Sequence, residues 1–193
     1  LGKLAAEHLL LNRVVSRGID VKVVRPFNAM GEWQSAELGF VIPRFFEAAM
    51  SGGVLRVFGN GKQRRSFCHV SDLVDGIIAV QERGRSGGIY NVGNADNVTT
   101  IAQLAEQILS RCRSTAKIAR VDPQSLYGSS YIEAFDKIPE TSKVHRDTGW
   151  SARISLSTAL SRIHRHYRRR WQVPGTRIAL EERTEPAAEL VQA

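Results

Sequence analysis

The chain has 193 residues, of which 42% are hydrophobic and 24% are charged, values that are ordinary for one soluble globular domain or for one domain and a tail. It has no apolar run near the roughly 20 residues that span a bilayer, and no signal-peptide pattern. Its two cysteines, Cys68 and Cys112, give neither a disulfide framework nor the spacing of metal ligands. We therefore expect no metal site, no membrane association and a reduced, cytoplasmic setting.

The net charge of +8 needs an explanation, and much of it is local to one stretch of the chain. The arginines concerned are Arg162, Arg165, Arg168, Arg169 and Arg170. Such an excess is found in proteins that bind nucleic acid, anionic membranes or phosphorylated small molecules, but it also suits a solvated helix end, where cations complement the dipole. Because the interleaved aromatics of nucleic-acid-binding proteins are missing, we predict no nucleic-acid partner.

The first predicted element is a helix over residues 3–17, where apolar side chains recur at helical period as far as Gly18. It has no N-cap residue, and Lys3 places a positive charge in the first turn, at the wrong end of the helix dipole. We expect that the helix begins upstream of Leu1 and that the chain was cut or misread there.

A short β-branched strand at 19–24 follows and is ended by Pro26. Residues 29–39 are predicted as a loop, 41–50 as a helix that tolerates Pro43 in its first turn, and 54–58 as a strand. The turn at residues 59–61 (GNG) is predicted to be that of a hairpin, which leads into an alternating strand at 65–70. Ser71 or Asp72 then caps a helix that runs to residue 83.

The remaining predicted elements are a strand at 89–92, a helix at 101–111 capped by Thr99 or Thr100, a strand at 116–121, and helices at 142–148 and 155–169. Residues 172–193 are charged and poor in aromatics, and we predict that they form a disordered tail. Strands that alternate with helices predict an α/β fold with a mainly parallel sheet. No glycine-rich turn joins a strand to a helix, as a dinucleotide-binding motif would require.

Several segments, in order along the chain, resemble the NAD-dependent epimerase/dehydratase family of extended short-chain dehydrogenases that act on nucleotide sugars. They are residues 2–7 (GKLAAE), 25–28 (RPFN), 59–67 (GNGKQRRSF), 69–74 (HVSDLV), 90–94 (YNVGN), 138–143 (IPETSK) and 149–150 (GW). The family includes UDP-glucose 4-epimerases, dTDP-glucose 4,6-dehydratases and UDP-glucuronate decarboxylases. Each match alone is weak, whereas their order over residues 1 to about 166 is specific.

The resemblance implies the C-terminal part of a Rossmann-like extended short-chain dehydrogenase fold and its small α/β substrate-binding domain. Residues 1–39 are then the remnant of the dinucleotide-binding domain, which starts in the catalytic helix, and residues 40–171 mainly bind the nucleotide sugar. The tyrosine of the family's Y-x-x-x-K pair falls just before Leu1. The family's N-terminal half with its glycine-rich motif is missing from this chain too, so we expect the chain alone neither to hold NAD firmly nor to turn over sugar.

By resemblance, Lys3 is the lysine of that pair, a catalytic residue that favours the tyrosinate and contacts the nicotinamide ribose. Pro26 and Phe27 are implied to contact NAD. Read without the motif, Lys3 is a solvated helix lysine and Phe27 a core residue.

The residues implied to bind the substrate are Asn28, Arg44, Arg65, Lys137 and Glu140. Arg65 takes the place of the family's phosphate-binding arginine, and its alternative is an exposed strand arginine. Asn28 follows a strand end, where α/β enzymes collect ligands, and its alternative is a turn former. Lys137 and Glu140 replace the family's Arg and Asp. Because lysine cannot form a bidentate fork, we expect weaker or altered binding of the substrate at this position.

The function implied is that of the C-terminal portion of an NAD-dependent nucleotide-sugar epimerase or dehydratase. It would carry out hydride transfer at the sugar C4 of a UDP- or dTDP-sugar, as a homodimer packed through the N-terminal helix. The alternative is a non-catalytic relative that acts as a nucleotide-sugar-binding or assembly module. Leu4, Leu11 and Val15 fit either a dimer seam or core packing.

Overall fold

The computed structural model describes residues 1–128, 130, 132 and 134–171. The helices are α1 (Gly2–Arg17), α2 (Val41–Ser51), α3 (Val70–Arg83), α4 (Ile101–Cys112), α5 (Gln124–Tyr127), α6 (Ser142–Thr148) and α7 (Leu156–Trp171). The strands are β1 (Val23–Pro26), β2 (Ala29–Met30), β3 (Val54–Phe58), β4 (Arg64–Ser66), β5 (Cys68–His69), β6 (Ile89–Val92), β7 (Val98–Thr100), β8 (Lys117–Val121) and β9 (Asp136–Lys137). The predicted tail, residues 172–193, lies outside the described residues.

The predicted α/β fold with parallel strand pairing is confirmed. Strand β1 pairs with β6, β3 with β8, and β4 with β9, each time in parallel. None of the described helices is long and apolar enough to cross a membrane.

The chain divides into two compact units that alternate along the sequence. Unit 1 comprises Leu1–Ala29, Ser66–Val98 and Ile138–Leu156, and unit 2 comprises residues 30–65, 99–137 and those from 157 onward. The predicted division at residue 39 concerns which segments bind the dinucleotide and which bind the substrate, and it stays a prediction.

Unit 1 is built on the β1·β6 pair, in which Val23 lies opposite Ile89 and Pro26 opposite Val92. Helices α3 and α6 pack on β6. The buried cluster consists of Cys68, Leu73, Ala79, Val80, Tyr90, Val92, Val144 and Trp150. A Cβ at Gly76 would lie 2.5 Å from Val92 Cγ1 and 2.8 Å from the Trp150 ring, so a residue without a side chain lets α3 approach the strand closely. Trp150 is therefore a packing anchor of this cluster.

Unit 2 is built on the β3·β8 pair, with Val54 opposite Lys117 and Phe58 opposite Val121. Helices α2 and α4 pack against β3, and the alternation of exposed and buried residues in β3 buries Leu55 and Val57. Other buried side chains of this unit are Phe45, Phe46, Leu104, Ile108, Leu160 and Ile163. Helix α4 begins with the predicted cap at Thr100, whose hydroxyl accepts a hydrogen bond from Gln103 N while the Gln103 side chain accepts one from Thr100 N.

Two local predictions are wrong. The turn at Gly59-Asn60-Gly61 closes β3, but β4 lies between β7 and β9 rather than beside β3, so it is not a hairpin turn. Gly61 has φ +71°, and a Cβ there would lie 2.7 Å from Val57 Cγ1, which explains the glycine through close packing as well as backbone conformation. Helix α3 is capped by His69, whose Nδ1 accepts from Ser71 N, and Asp72 lies inside its first turn.

Candidate active site

Lys3 lies in the first turn of α1, and its side chain is exposed. None of the residues of α1 is buried among the described part of the chain. The helix ends at Gly18, which adopts the left-handed conformation at φ 63° and donates its N–H to Val14 O. Lys3 therefore lies on a helix that is only slightly covered by the other described residues.

The side chain of Glu7, one turn after Lys3, forms a bidentate ion pair with Arg25 of β1. Arg25 Nε donates to Glu7 Oε1 at 2.9 Å and Nη2 donates to Oε2 at 2.5 Å. The hydrogen bond from Arg25 lowers the pKa of Glu7. The sequence reasoning missed this pair, although the spacing of four residues between Lys3 and Glu7 placed both on one helix face.

The end of β1 carries the two residues predicted to contact NAD. Pro26 is exposed and Phe27 is half-buried. Phe27 N donates to Val92 O at 2.9 Å, so its backbone N–H is used in the sheet and a backbone contact to a nicotinamide would come from another atom. A Cβ at Gly93 would lie 2.9 Å from Phe27 Cβ and 3.0 Å from Pro139 Cγ, which shows how tightly this strand end is packed.

Asn28 has a backbone φ of 20°, an uncommon value for a residue other than glycine. Its side-chain Nδ2 donates to Ser66 O at 2.8 Å, and its own carbonyl accepts from Cys68 N at 3.1 Å. The amide N–H of Asn28 thus joins two segments that are distant in sequence rather than forming a local turn, while a substrate contact through Oδ1 stays a prediction.

Glu140, also in unit 1, lies just before α6. Its Oε1 accepts from Ser142 N at 2.6 Å, and hydrogen bonds from the Ser142 side chain and backbone lower its pKa. Asn91 Nδ2 of β6 donates to the Glu140 carbonyl at 3.3 Å. The carboxylate therefore has a structural use at this helix start, and its predicted contact with substrate stays a prediction.

In unit 2, the structure brings Arg65 and Lys137 together. The two residues lie opposite each other in the parallel β4·β9 pair, where side chains of paired residues share one face. Their neighbours Arg64 and Asp136, also opposite each other, form a bidentate ion pair, with Arg64 Nε 2.8 Å from Asp136 Oδ1. The hydrogen bond from Arg64 lowers the pKa of Asp136. One cross-strand pair is thus neutralised internally, whereas the adjacent one places two cations side by side.

The guanidinium of Arg65 is held by backbone carbonyls. Its Nη1 donates to Arg64 O at 2.8 Å and to Phe135 O at 3.1 Å. Two cations held on one face of a strand pair can together bind an anion.

Beside these cations, unit 2 contains a cavity of about 200 Å³ that the sequence reasoning did not foresee. It is lined by Phe58, Gly59, Asn60, Gln63, Pro123 and Phe135. Gln63 is buried and its Nε2 donates to Phe58 O at 3.1 Å, which fixes the cavity wall. Phe135 belongs both to this lining and, through its carbonyl, to the contacts of Arg65. Phe58 and Phe135 lie about 75 positions apart in sequence, so only the tertiary structure shows that they line one cavity.

Arg44 makes its hydrogen bond elsewhere in unit 2, to the loop that precedes α2. Its Nε donates to Ala36 O at 3.2 Å, and its guanidinium lies beside Gly39, so it braces the loop that precedes α2. Its predicted role in substrate binding stays a prediction.

Two motif residues, Asp72 and Asn94, and the nearby Asn97 have structural roles. Asp72 Oδ2 accepts from Arg153 N at 3.0 Å and from Ile154 N at 2.8 Å. Asn97 Nδ2 donates to Phe67 O and Ile154 O, and its Oδ1 accepts from Leu156 N at 2.7 Å. Asn94 Nδ2 adds a bond to Ile154 O at 3.2 Å. We call Asp72, Asn94 and Asn97 the polar clasp, because they hold residues 153–156 by partly buried hydrogen bonds.

No group of three His, Cys, Asp or Glu side chains within the described ranges could hold a metal ion. The arginines at the end of α7 are exposed, and those of its last turn, Arg168 to Arg170, complement the dipole there.

The comparisons with known proteins bear on these segments directly. A sequence model described as "NAD dependent epimerase/dehydratase family" matches residues 1–93. The chain is 31% identical to UDP-glucuronic acid decarboxylase 3 of Arabidopsis thaliana over 173 residues, which are 90% of this chain and 48% of that protein. Residues 1–93 of the chain thus match the NAD-dependent epimerase/dehydratase family.

Other relatives in the family differ in reaction. A dTDP-glucose 4,6-dehydratase of Streptomyces niveus is 33% identical over 174 residues, 89% of this chain and 49% of that protein. Among solved structures, a dTDP-glucose 4,6-dehydratase of Streptomyces venezuelae with NAD bound has a TM-score of 0.75 at 25% identity, over 86% of this chain and 49% of that one. The chain spans about half the length of the curated relatives it matches. The resemblance predicted from the motifs and the extended short-chain dehydrogenase fold are both confirmed.

Proposed function

We propose that this chain is the C-terminal portion of an NAD-dependent enzyme that oxidises a UDP- or dTDP-sugar at C4, in the course of an epimerisation, dehydration or decarboxylation. The observation that carries the proposal is the pairing of Arg65 with Lys137 on one face of β4·β9. Two cations on one face can together bind a diphosphate, and the relatives named above act on diphosphate-linked sugars.

The cavity next to the pair suits the rest of a nucleotide. Phe58 and Phe135 give it aromatic walls, and the amides of Asn60 and Gln63 are donors and acceptors of the kind that a pyrimidine edge pairs with. A base in this cavity and a diphosphate on the cations would lie on adjacent surfaces of unit 2. We therefore assign unit 2 the nucleotide end of the substrate.

Unit 1 supplies the residues assigned to the cofactor and to proton transfer: Lys3 on α1, and Pro26 and Phe27 at the end of β1. NAD, when bound, accepts the hydride with its electron pair from the sugar carbon, while the hydroxyl proton passes to a base. The ammonium of Lys3 stabilises the anionic form of a neighbouring phenol and hydrogen-bonds a ribose hydroxyl. The exposed position of Lys3 and of Pro26 leaves room for both partners.

We further propose a homodimer that packs through α1. The helix is apolar on several faces, and Leu4, Leu9 and Val15 are 53%, 67% and 88% exposed. An isolated helix of this length is marginal in water, so its stability must come from packing that the described residues do not supply.

The test is nucleotide binding and turnover by the intact protein that contains this chain. We expect Arg65→Ala to weaken UDP binding about 10- to 100-fold by calorimetry, since a hydrogen bond between charged groups contributes about 1.5–3 kcal/mol. Lys62→Ala removes an exposed charge from the same segment and serves as the matched control.

Turnover is assayed with NAD and with UDP-glucose, UDP-glucuronate and dTDP-glucose in turn, and the product identifies the reaction. UDP affinity unchanged in Arg65→Ala would contradict the assignment of the diphosphate site. Tight UDP binding without NADH formation from any sugar would favour the non-catalytic alternative.

A further inference from the structure

The Glu7–Arg25 ion pair joins the two elements of unit 1 that carry the proposed cofactor-side residues. Glu7 follows Lys3 by four residues, so the two side chains lie one turn apart on the same face of α1. Arg25 immediately precedes Pro26 and Phe27 in β1. Both N–H···O contacts of the pair, at 2.9 Å and 2.5 Å, are made by the fork of one guanidinium to the two oxygens of one carboxylate.

Such a fork defines an orientation as well as an attraction. Two parallel hydrogen bonds fix the plane and the distance of the partners, which a single ammonium contact does not do. The side chain of Glu7 is 18% exposed, so the contact lies against the protein rather than in open solvent. Because Arg25 lowers the pKa of Glu7, the pair stays ionised at neutral pH.

Within the described part of the chain no residue of α1 is buried, and Glu7 is one of its half-buried residues. Because Lys3 lies one turn from Glu7, a rotation of α1 that separated Glu7 from Arg25 would also displace Lys3, and a misplacement of about 1 Å can cost roughly 100-fold in rate.

We infer that Glu7 and Arg25 are positioning residues, which fix the rotation of α1 on β1 and thereby hold Lys3 in its working position. This inference rests on the proposed function, because it needs the proposed role of Lys3. It assigns Glu7 no contact with substrate or cofactor.

The experiment compares Glu7→Gln in the intact protein with the same change in a Lys3→Ala background. Glu7→Gln keeps the shape but loses the charge-assisted fork. We expect single-turnover NADH formation to fall roughly 10-fold, with the KM for the nucleotide sugar changed less than about twofold. Arg25→Lys, which keeps the charge without the fork, should show the same loss. In the Lys3→Ala background, Glu7→Gln should cause no further loss, since there is no lysine left to position.

Asp20→Asn is the matched control, because it removes an exposed carboxylate that pairs with Lys22 at 2.6 Å, outside α1. We expect it to leave the rate unchanged. An unchanged rate in Glu7→Gln, or an equal loss in both backgrounds, would overturn the inference and leave the proposed function standing. Wild-type turnover by Lys3→Ala would overturn the role of Lys3 and this inference together, so the two failures are distinguishable.

Discussion

At the scale of single residues, two neighbouring cross-strand pairs of β4 and β9 differ in charge: one joins opposite charges and the other joins two cations. Arg64 is neutralised by Asp136, whereas the next residue, Arg65, faces Lys137. A pair of cations that the strand register holds together is what an anionic ligand requires, and the repulsion is relieved when the anion binds.

Lys137 also offers a test of how closely that site follows the family pattern. We expect Lys137→Arg to tighten UDP binding by up to about 10-fold, because a guanidinium makes bidentate hydrogen bonds to a phosphate where an ammonium acts as a point charge. Isothermal titration of the intact protein with UDP measures the change. Lys117→Arg, the same replacement at an exposed position of β8, is the control and should have no effect. Equal affinities for Lys137→Arg and the wild type would place Lys137 away from the diphosphate.

At the scale of elements, the polar clasp gives a structural role to Asp72 and Asn94, which belong to the sequence motifs. The segment 153–156 enters α7 without pairing in a strand, so its backbone groups must find other partners. Asp72 supplies a carboxylate oxygen for two N–H groups, and Asn97 supplies both a donor and an acceptor. Side chains from α3 and from the turn after β6 thus replace the ladder that a strand would have provided.

We expect Asn97→Ala to lower the free energy of unfolding by about 2–4 kcal/mol. The side chain is 6% exposed and makes three hydrogen bonds, and its removal leaves buried backbone groups of Phe67 and Leu156 without a partner. Urea denaturation followed by circular dichroism measures the change. In Asn91→Ala, which removes one longer bond to Glu140 O, the loss should stay below about 1 kcal/mol. A loss in Asn97→Ala no larger than that of Asn91→Ala would contradict the role of the clasp.

At the scale of the whole molecule, α1 is the element whose surroundings matter most. Sixteen residues form a helix with no buried side chain in the described part of the chain, although eight of them are Ala, Leu or Val. Apolar helix side chains are normally covered by neighbours in folded proteins. A second copy of the protein is one such neighbour, and the relatives are about twice as long as this chain.

The proposed homodimer gives a prediction at this scale. We expect the double variant Leu4→Glu and Val15→Glu to be monomeric in sedimentation velocity at micromolar concentration, because two buried carboxylates in an apolar seam would have to be dehydrated. Arg13→Glu reverses a charge on the opposite face of α1 and should leave the dimer intact. A dimer that persists in the double variant would show that the seam lies elsewhere.

The sequence by itself determined the α/β class, the order of the main elements and the family. Periodicity and capping depend on neighbours along the chain, as at Thr100, and ordered motifs such as RPFN and HVSDLV are readable without coordinates. The tertiary structure alone decided which strands are neighbours. In the structure, the GNG turn leads to a crossover rather than a hairpin. Asp72 accepts hydrogen bonds from the backbone of residues 153 and 154 instead of capping α3, and Arg65 lies opposite Lys137. The physical reason is that such pairings join residues far apart in sequence, as for Arg65 and Lys137 or Asp72 and Ile154, and no local preference along the chain records them.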